Sequence, residues 1–191
     1  MRKVTINDII GLAVYEKIRE DFRRRVIELK QKRRVSLGDR VSLVFENRVT
    51  VIFQIQEMLR VERINDLDKI RREIATYNQL IPDSRELSAT LFLEIEYPTH
   101  LREELLKFQG VEEALTLRIA AHRLPARFEP GRSKEDKISA VQYVKFPFSE
   151  AGLQAFVKGE KAELVIDHAN YQASAAIEAG TRQSLVEDLK A

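Results

Sequence analysis

The stretch Leu87-Ser88-Ala89-Thr90-Leu91-Phe92-Leu93-Glu94-Ile95-Glu96-Tyr97 alternates strictly. Leu87, Ala89, Leu91, Leu93, Ile95 and Tyr97 fall on one face, and Ser88, Thr90, Phe92, Glu94 and Glu96 on the other. A period of two is that of a β-strand with one face in a core. The odd-numbered residues are therefore predicted to be buried and the even-numbered ones to face outward.

Upstream of this strand the periodicity is helical. Thr5 and Asp8 suit the first turn of a helix, and Ile10, Val14, Ile18, Phe22, Val26 and Leu29 then recur every three or four residues, predicting a long first helix packed on the sheet that follows. Val35–Leu37 and Val41–Phe45, separated by Gly38 and Asp39, predict a tight hairpin. A helix capped by Asn47 or Thr50 runs to about Arg63, apolar almost all round except for an arc at Thr50, Gln54 and Glu57. A second helix starts at Asn65 or Asp66, carries Leu67, Ile70, Ile74, Tyr77 and Ile81 on one face, and stops at Pro82.

Downstream, Thr99 is placed to cap a short helix ending at Gly110. Strands are predicted over Leu115–Ala121, Leu124–Phe128, Ile138–Phe146, Ala162–Asp167 and Gln172–Ile177, with an exposed polar loop over Pro130–Lys137. Ser149 and Gly159 bracket another short helix, and a last one starts at Thr181 with Leu185 and Leu189 inward. Strands cluster after helices instead of alternating with long crossover helices. The expectation is an α+β fold with a mainly antiparallel sheet: one domain over 1–191, helix-rich over 1–82 and sheet-rich over 83–191.

The 191 residues, 44% hydrophobic and 32% charged, fit a soluble globular chain able to bury its own core. No apolar run reaches the roughly 18 residues of a membrane span, and the start Met1-Arg2-Lys3-Val4-Thr5 lacks the apolar stretch of a secretion signal, so a cytoplasmic location is expected. The absence of cysteine excludes disulfides, thiolate nucleophiles and iron–sulfur ligation by this chain. His100, His122 and His168 lie at no metal-binding spacing, and the seven glycines form no phosphate loop, so neither metal nor cofactor is expected and no residue is assigned a catalytic role.

Two groups of residues remain as candidates for binding. Gln56 falls between Val49, Ile52 and Phe53 on the apolar helix and is expected to be buried and hydrogen-bonded; with Glu46 at a strand end and Glu57 beside it, it defines a candidate ligand site. Residues 1–34 hold eleven Lys and Arg against five Asp and Glu, and Arg23, Arg24, Arg25, Lys30, Lys32, Arg33 and Arg34 form a candidate surface for phosphate or an acidic partner. Glu16, Glu20, Asp21 and Glu28 interleave with them, and no exposed aromatic residues are expected to, so a protein partner is favoured over nucleic acid and no membrane surface is expected.

The segments Phe45-Glu46-Asn47-Arg48, Gln54-Ile55-Gln56-Glu57-Met58-Leu59-Arg60 and Glu62-Arg63-Ile64, with Leu87-Ser88-Ala89-Thr90-Leu91 and Ile138-Ser139-Ala140-Val141-Gln142-Tyr143-Val144, resemble a bacterial domain-of-unknown-function family, the one numbered thirty-five-oh-one. The resemblance implies genes that neighbour those of rubrerythrin-like and iron–sulfur oxidoreductase proteins, and hence a bacterial accessory protein of redox or oxidative-stress metabolism. It assigns no catalytic residue. A non-enzymatic binding or accessory role is the preferred reading, with a ligand-binding protein or enzyme built on Glu46, Gln56 and Glu57 as the alternative and nucleic-acid binding through the basic segment third.

Overall fold

The computed structural model describes residues 1–95, 100–131, 133–134 and 137–190. Residues 1–11 form a strap whose only regular element is a 3-10 turn, Ile6–Asp8. Next come α1 (Leu12–Lys32), the hairpin β1 (Arg34–Leu37) and β2 (Val41–Glu46), the helical pair α2 (Arg48–Val61) and α3 (Leu67–Tyr77), a 3-10 turn Asn78–Leu80, and β3 (Glu86–Leu93). Two short helices, α4 (Leu101–Leu106) and α5 (Val111–Ala114), lead to β4 (Leu115–Ile119), β5 (His122–Pro125), β6 (Arg127–Phe128) and the small hairpin β7 (Ser133–Lys134) and β8 (Lys137–Ile138). The chain closes with β9 (Val141–Pro147), α6 (Glu150–Lys158), β10 (Ala162–His168), β11 (Tyr171–Ala176) and α7 (Ala179–Lys190).

The fold is α+β. Two antiparallel sheets, ordered β1-β2-β3-β9-β6 and β11-β10-β4-β5, share the principal core. Leu87, Ala89, Leu91 and Leu93 of β3 face into it, as their alternation predicts, beside Leu43 and Phe45 of β2 and Val144 and Phe146 of β9. The opposite face of the five-stranded sheet is covered too: Ser88 and Thr90, expected to look outward, are buried, as are Ser42 and Glu46 of β2 on the same face. A second core over that side joins Val51, Ile55 and Leu59 of α2 to Ile74 of α3, Leu80, Ile81 and Val4 of the strap. The arc at Thr50 and Gln54 therefore faces the polar side of the sheet and not solvent, while Val49 is 44% exposed.

Several boundaries differ from the periodic reading, each for a local reason. Thr5 and Asp8 do form a capping box, but around the 3-10 turn, and the first α-helix starts after Gly11. Ile10 therefore lies outside the helix and the first part of the stripe is out of phase, with Val14 57% exposed, Ile18 exposed and Tyr15 buried instead, while Val26 is buried and Phe22 and Leu29 are half-buried as the spacing predicts. Tyr15 and Phe22 stack edge-on, and Phe22 on Phe53 of α2, so α1 packs on α2 and α7 in place of the sheet. The run 124–128 is two strands in different sheets, broken at Ala126, whose amide donates to the Leu115 carbonyl (3.0 Å). Part of the loop expected over 130–137 is the β7–β8 hairpin. Gly110, expected to end a helix, sits at φ 90° before α5, an element the pattern did not show. The long strand ends at Leu93, before Glu94 and Ile95, and residues 96–97 and Thr99 lie outside the described residues.

Two contacts join distant parts of the chain. Gly38 turns the first hairpin at φ 68°, and a Cβ there would overlap the Tyr171 hydroxyl, which donates to the Leu37 carbonyl and accepts from the Arg40 amide (3.2 Å). The Arg33 guanidinium is fully enclosed. It donates to the carbonyls of Phe45 (2.8 Å) and Glu46 (3.2 Å), to Ser184 Oγ (2.8 Å) and to the Asp188 carboxylate, tying the β2 end to α7. Burial raises the Asp188 pKa above the ordinary carboxylate value even with Arg33 beside it. Arg33→Met is expected to strand a buried carboxylate and two carbonyls and to destabilise by about 3–5 kcal/mol in urea unfolding, whereas Asp188→Asn, which keeps an acceptor, should cost about 1–2 kcal/mol.

Candidate ligand cleft at the sheet edge

The three polar residues selected around α2 occupy three separate environments. Glu46, 2% exposed at the end of β2, accepts hydrogen bonds from Thr90 (2.6 Å), Thr50 and Gln54 (3.1 Å) across the sheet–helix interface. Gln56 is buried, as its position predicts: its Oε1 accepts from the Ile10 amide (2.6 Å) and its Nε2 donates to the Ile10 carbonyl (3.1 Å). Glu57 faces α1, where Arg19 grips it with Nε and NH2 (both 2.8 Å), Tyr15 donates to it (2.8 Å) and Arg60 lies at 3.3 Å. Arg19 above all pulls the Glu57 carboxyl down to about 2, and burial with the Glu57 contact pushes the Tyr15 phenol well up. None of the described cavities is lined by these three residues.

The basic residues are also divided. Arg33 is enclosed; Arg34 pairs with Glu94 (3.2 Å), donates to Ser42 (2.6 Å) and lies over the Phe92 ring. Arg23 and Arg24 stand near Glu20 (4.0 Å) and Asp21 (3.7 Å) one turn away, and Arg25 and Lys32 are exposed with Lys30 half-buried. His168 is held structurally, with Nε2 on the Gln109 carbonyl (2.8 Å). Among the described residues no three His, Asp or Glu side chains converge as a metal site, and no described helix is long and apolar enough to cross a membrane.

A cleft of about 560 Å³ opens where the helical layer stops short of the β9–β6 edge. The register explains its chemistry. Glu46 pairs with Ser88, Ser88 with Lys145, and Lys145 with Arg127, so these four form one row across β2, β3, β9 and β6 on the helix-facing side. The inner end is covered by α2; Ser88, Lys145 and Arg127 at the outer end line the cleft. Ala75 and Leu80 from α3 and the turn after it form the opposite wall, Tyr143 and Phe128 add aromatic surface, and Glu129 stands on the rim.

Lys3 of the strap reaches the same place. Its ammonium donates to the carbonyls of Ile81 (2.8 Å) and Asn78 (3.3 Å) and pairs with Asp83 (2.8 Å). Asp83 also faces Lys145 (3.4 Å), which bonds Glu86 (2.7 Å), and Lys3 foremost holds the Asp83 carboxyl below its ordinary pKa. The strap is fastened by Asn78, whose amide accepts from the Val4 amide (2.8 Å) and donates to the Val4 carbonyl (2.9 Å), the same device that Gln56 applies to Ile10. Sequence reasoning missed this site because its residues come from five separate segments and form no motif. The one legible trace was Tyr143 and Lys145, which alternate with Val144 and Phe146 on one strand.

The fold and cleft define a two-sheet α+β protein with an open seat at a sheet edge. The chain belongs to the family described as "Protein of unknown function (DUF3501)", whose model matches residues 3–189. It is similar to a crystallised protein of unknown function from Burkholderia pseudomallei K96243, at 32% identity and a TM-score of 0.92 over 98% of this chain and 100% of the other. Comparison with curated proteins gives no significant match.

Gln56→Leu removes both partners of the Ile10 backbone and is expected to destabilise by about 1–3 kcal/mol in urea titration with an unchanged slope. For Glu57 the folded pKa lies below the unfolded value of 4.5, so its stabilisation is fully present above that pH and is lost as the pH falls toward 2. Glu57→Gln should therefore cost about 1–3 kcal/mol at pH 7, and its deficit relative to wild type should shrink in unfolding curves recorded at successively lower pH.

Proposed function

We propose that the protein is a non-enzymatic binding protein that seats a small organic molecule in the cleft at the β9–β6 edge. The observation that carries this reading is the cleft: an opening of about 560 Å³, within the range of about 300–1,000 Å³ that holds small ligands, where apolar walls meet a few inward-facing polar groups. Binding is favoured over proton-transfer catalysis because Asp83, a carboxylate of the site, is held ionised between two lysines, and a group with a depressed pKa is a poor acid or base near neutrality.

In this reading Glu46 anchors the inner end of the polar row, Gln56 fastens the strap that carries Lys3, and Glu57 fixes α1. The family likeness adds the expectation of a redox or oxidative-stress protein as partner; a chain without cysteine would serve such a partner as a carrier or sensor of the bound molecule. Ala75 lines the cleft from the exposed side of α3 and belongs to neither core, so Ala75→Trp fills the seat without removing a core side chain. Ligand-observed NMR with a mixed set of neutral, cationic and anionic fragments should find binders of the wild type that Ala75→Trp releases, at an unchanged melting temperature. If no fragment distinguishes the two proteins, the cleft is not a ligand seat.

A further inference from the structure

Arg127 and Lys145 are direct partners across the β6–β9 ladder, so two cations stand opposite each other on one face of the sheet, an arrangement that destabilises a strand pair. Lys145 is compensated by Glu86 (2.7 Å) and Asp83 (3.4 Å). Arg127 is not: it is exposed at the mouth of the cleft, and among the described residues no carboxylate lies within ion-pairing distance of its guanidinium. Lys3 and Lys145 are met by Asp83 and Glu86, which leaves Arg127, of the three cations lining the cleft, without a carboxylate in ion-pairing distance among the described residues.

A planar guanidinium with free donors is suited to grip a carboxylate with two parallel hydrogen bonds. Asp83 and Glu129 nearby make the same place unfavourable for a dianion such as a phosphate monoester, whereas a single carboxylate is met by the one guanidinium of Arg127. The apolar wall at Ala75 and Leu80, with the Tyr143 ring, leaves room for an uncharged body. Building on the reading of the cleft as a ligand seat, we propose that its ligand is a small monocarboxylic acid with an apolar body, its carboxylate held by Arg127 beside Lys145.

The test uses three probes of one shape, 2-naphthoate, naphthalene-2-carboxamide and 2-naphthyl phosphate, titrated into wild type, Arg127→Gln and Ala75→Trp. Naphthoate should bind wild type at least about tenfold more tightly than the amide or the phosphate, a difference of about 1.4 kcal/mol, and Arg127→Gln should abolish that preference. The melting temperature of unliganded Arg127→Gln should be unchanged or higher, because the substitution relieves a like-charge pair. Equal binding of naphthoate and amide, both lost in Ala75→Trp, would overturn the carboxylate assignment while leaving the ligand seat standing. Tighter binding of the phosphate would overturn the monoanion, and a lower melting temperature for Arg127→Gln would show that the fold itself uses this residue. Failure of every probe to respond to Ala75→Trp would remove the seat and this proposal together.

Discussion

The enclosed guanidinium of Arg33 is the point on which the layers of this protein are hung. It lies at the junction of α1 and β1, bonds the last two carbonyls of β2, and reaches Ser184 and Asp188 on the final helix, so segments from opposite ends of the chain share one charged group. A buried cation is tolerable only when its donors are taken up, and the planar fork of arginine allows four acceptors to be met at once. Lysine, with a compact ammonium, offers no comparable geometry. Thr181 adds a bond from α7 to the Lys32 carbonyl (2.9 Å) at the same junction, so the end of α1 and the start of α7 are docked on a common polar seam.

From that seam the five-stranded sheet extends with both faces covered, and the two faces solve the burial problem differently. One is apolar and joins the second sheet in the main core. The other carries Ser42, Glu46, Ser88 and Thr90: Thr90 donates to Glu46, Ser42 bonds Arg34 and Glu94, and Ser88 opens on the cleft. Glu46 is the hub of that arrangement, receiving donors from its neighbour strand and from α2. Where the helical layer ends the same polar row continues into the open as Lys145 and Arg127, and the cleft is the consequence.

The strap completes the second core by an unusual means. Val4 and Ile10 are each held by a side-chain amide that both donates to and accepts from the backbone, reproducing the two-bond exchange of an antiparallel strand pair without a strand. Asp8 with Arg48 (2.5 Å) pins the turn between them, and Arg48 foremost holds the Asp8 carboxyl well below its usual pKa. Because Lys3 lies on this strap and in the cleft, the geometry of the cleft depends on the second core remaining closed.

Local chemistry was enough to determine much of this from the sequence: the alternation of Leu87–Leu93, the Gly38 hairpin, the cap at Ser149, the caps at Asn47 and Asp66 as one of two candidates each, and the burial of Gln56 all follow from the period and polarity of neighbouring residues. The α+β class follows from how those elements are ordered. The phase of the first turns of α1 did not, because Ile10 belongs to the strap and joined the helical stripe only by coincidence of spacing. Nor did the burial of Ser88 and Thr90, since a polar strand face looks the same in sequence whether water or a hydrogen-bonding helix covers it. The cleft was decided by tertiary structure alone: it exists where one layer ends before another, and the cross-strand register that sets Arg127 opposite Lys145 is a relation between segments that no local pattern encodes.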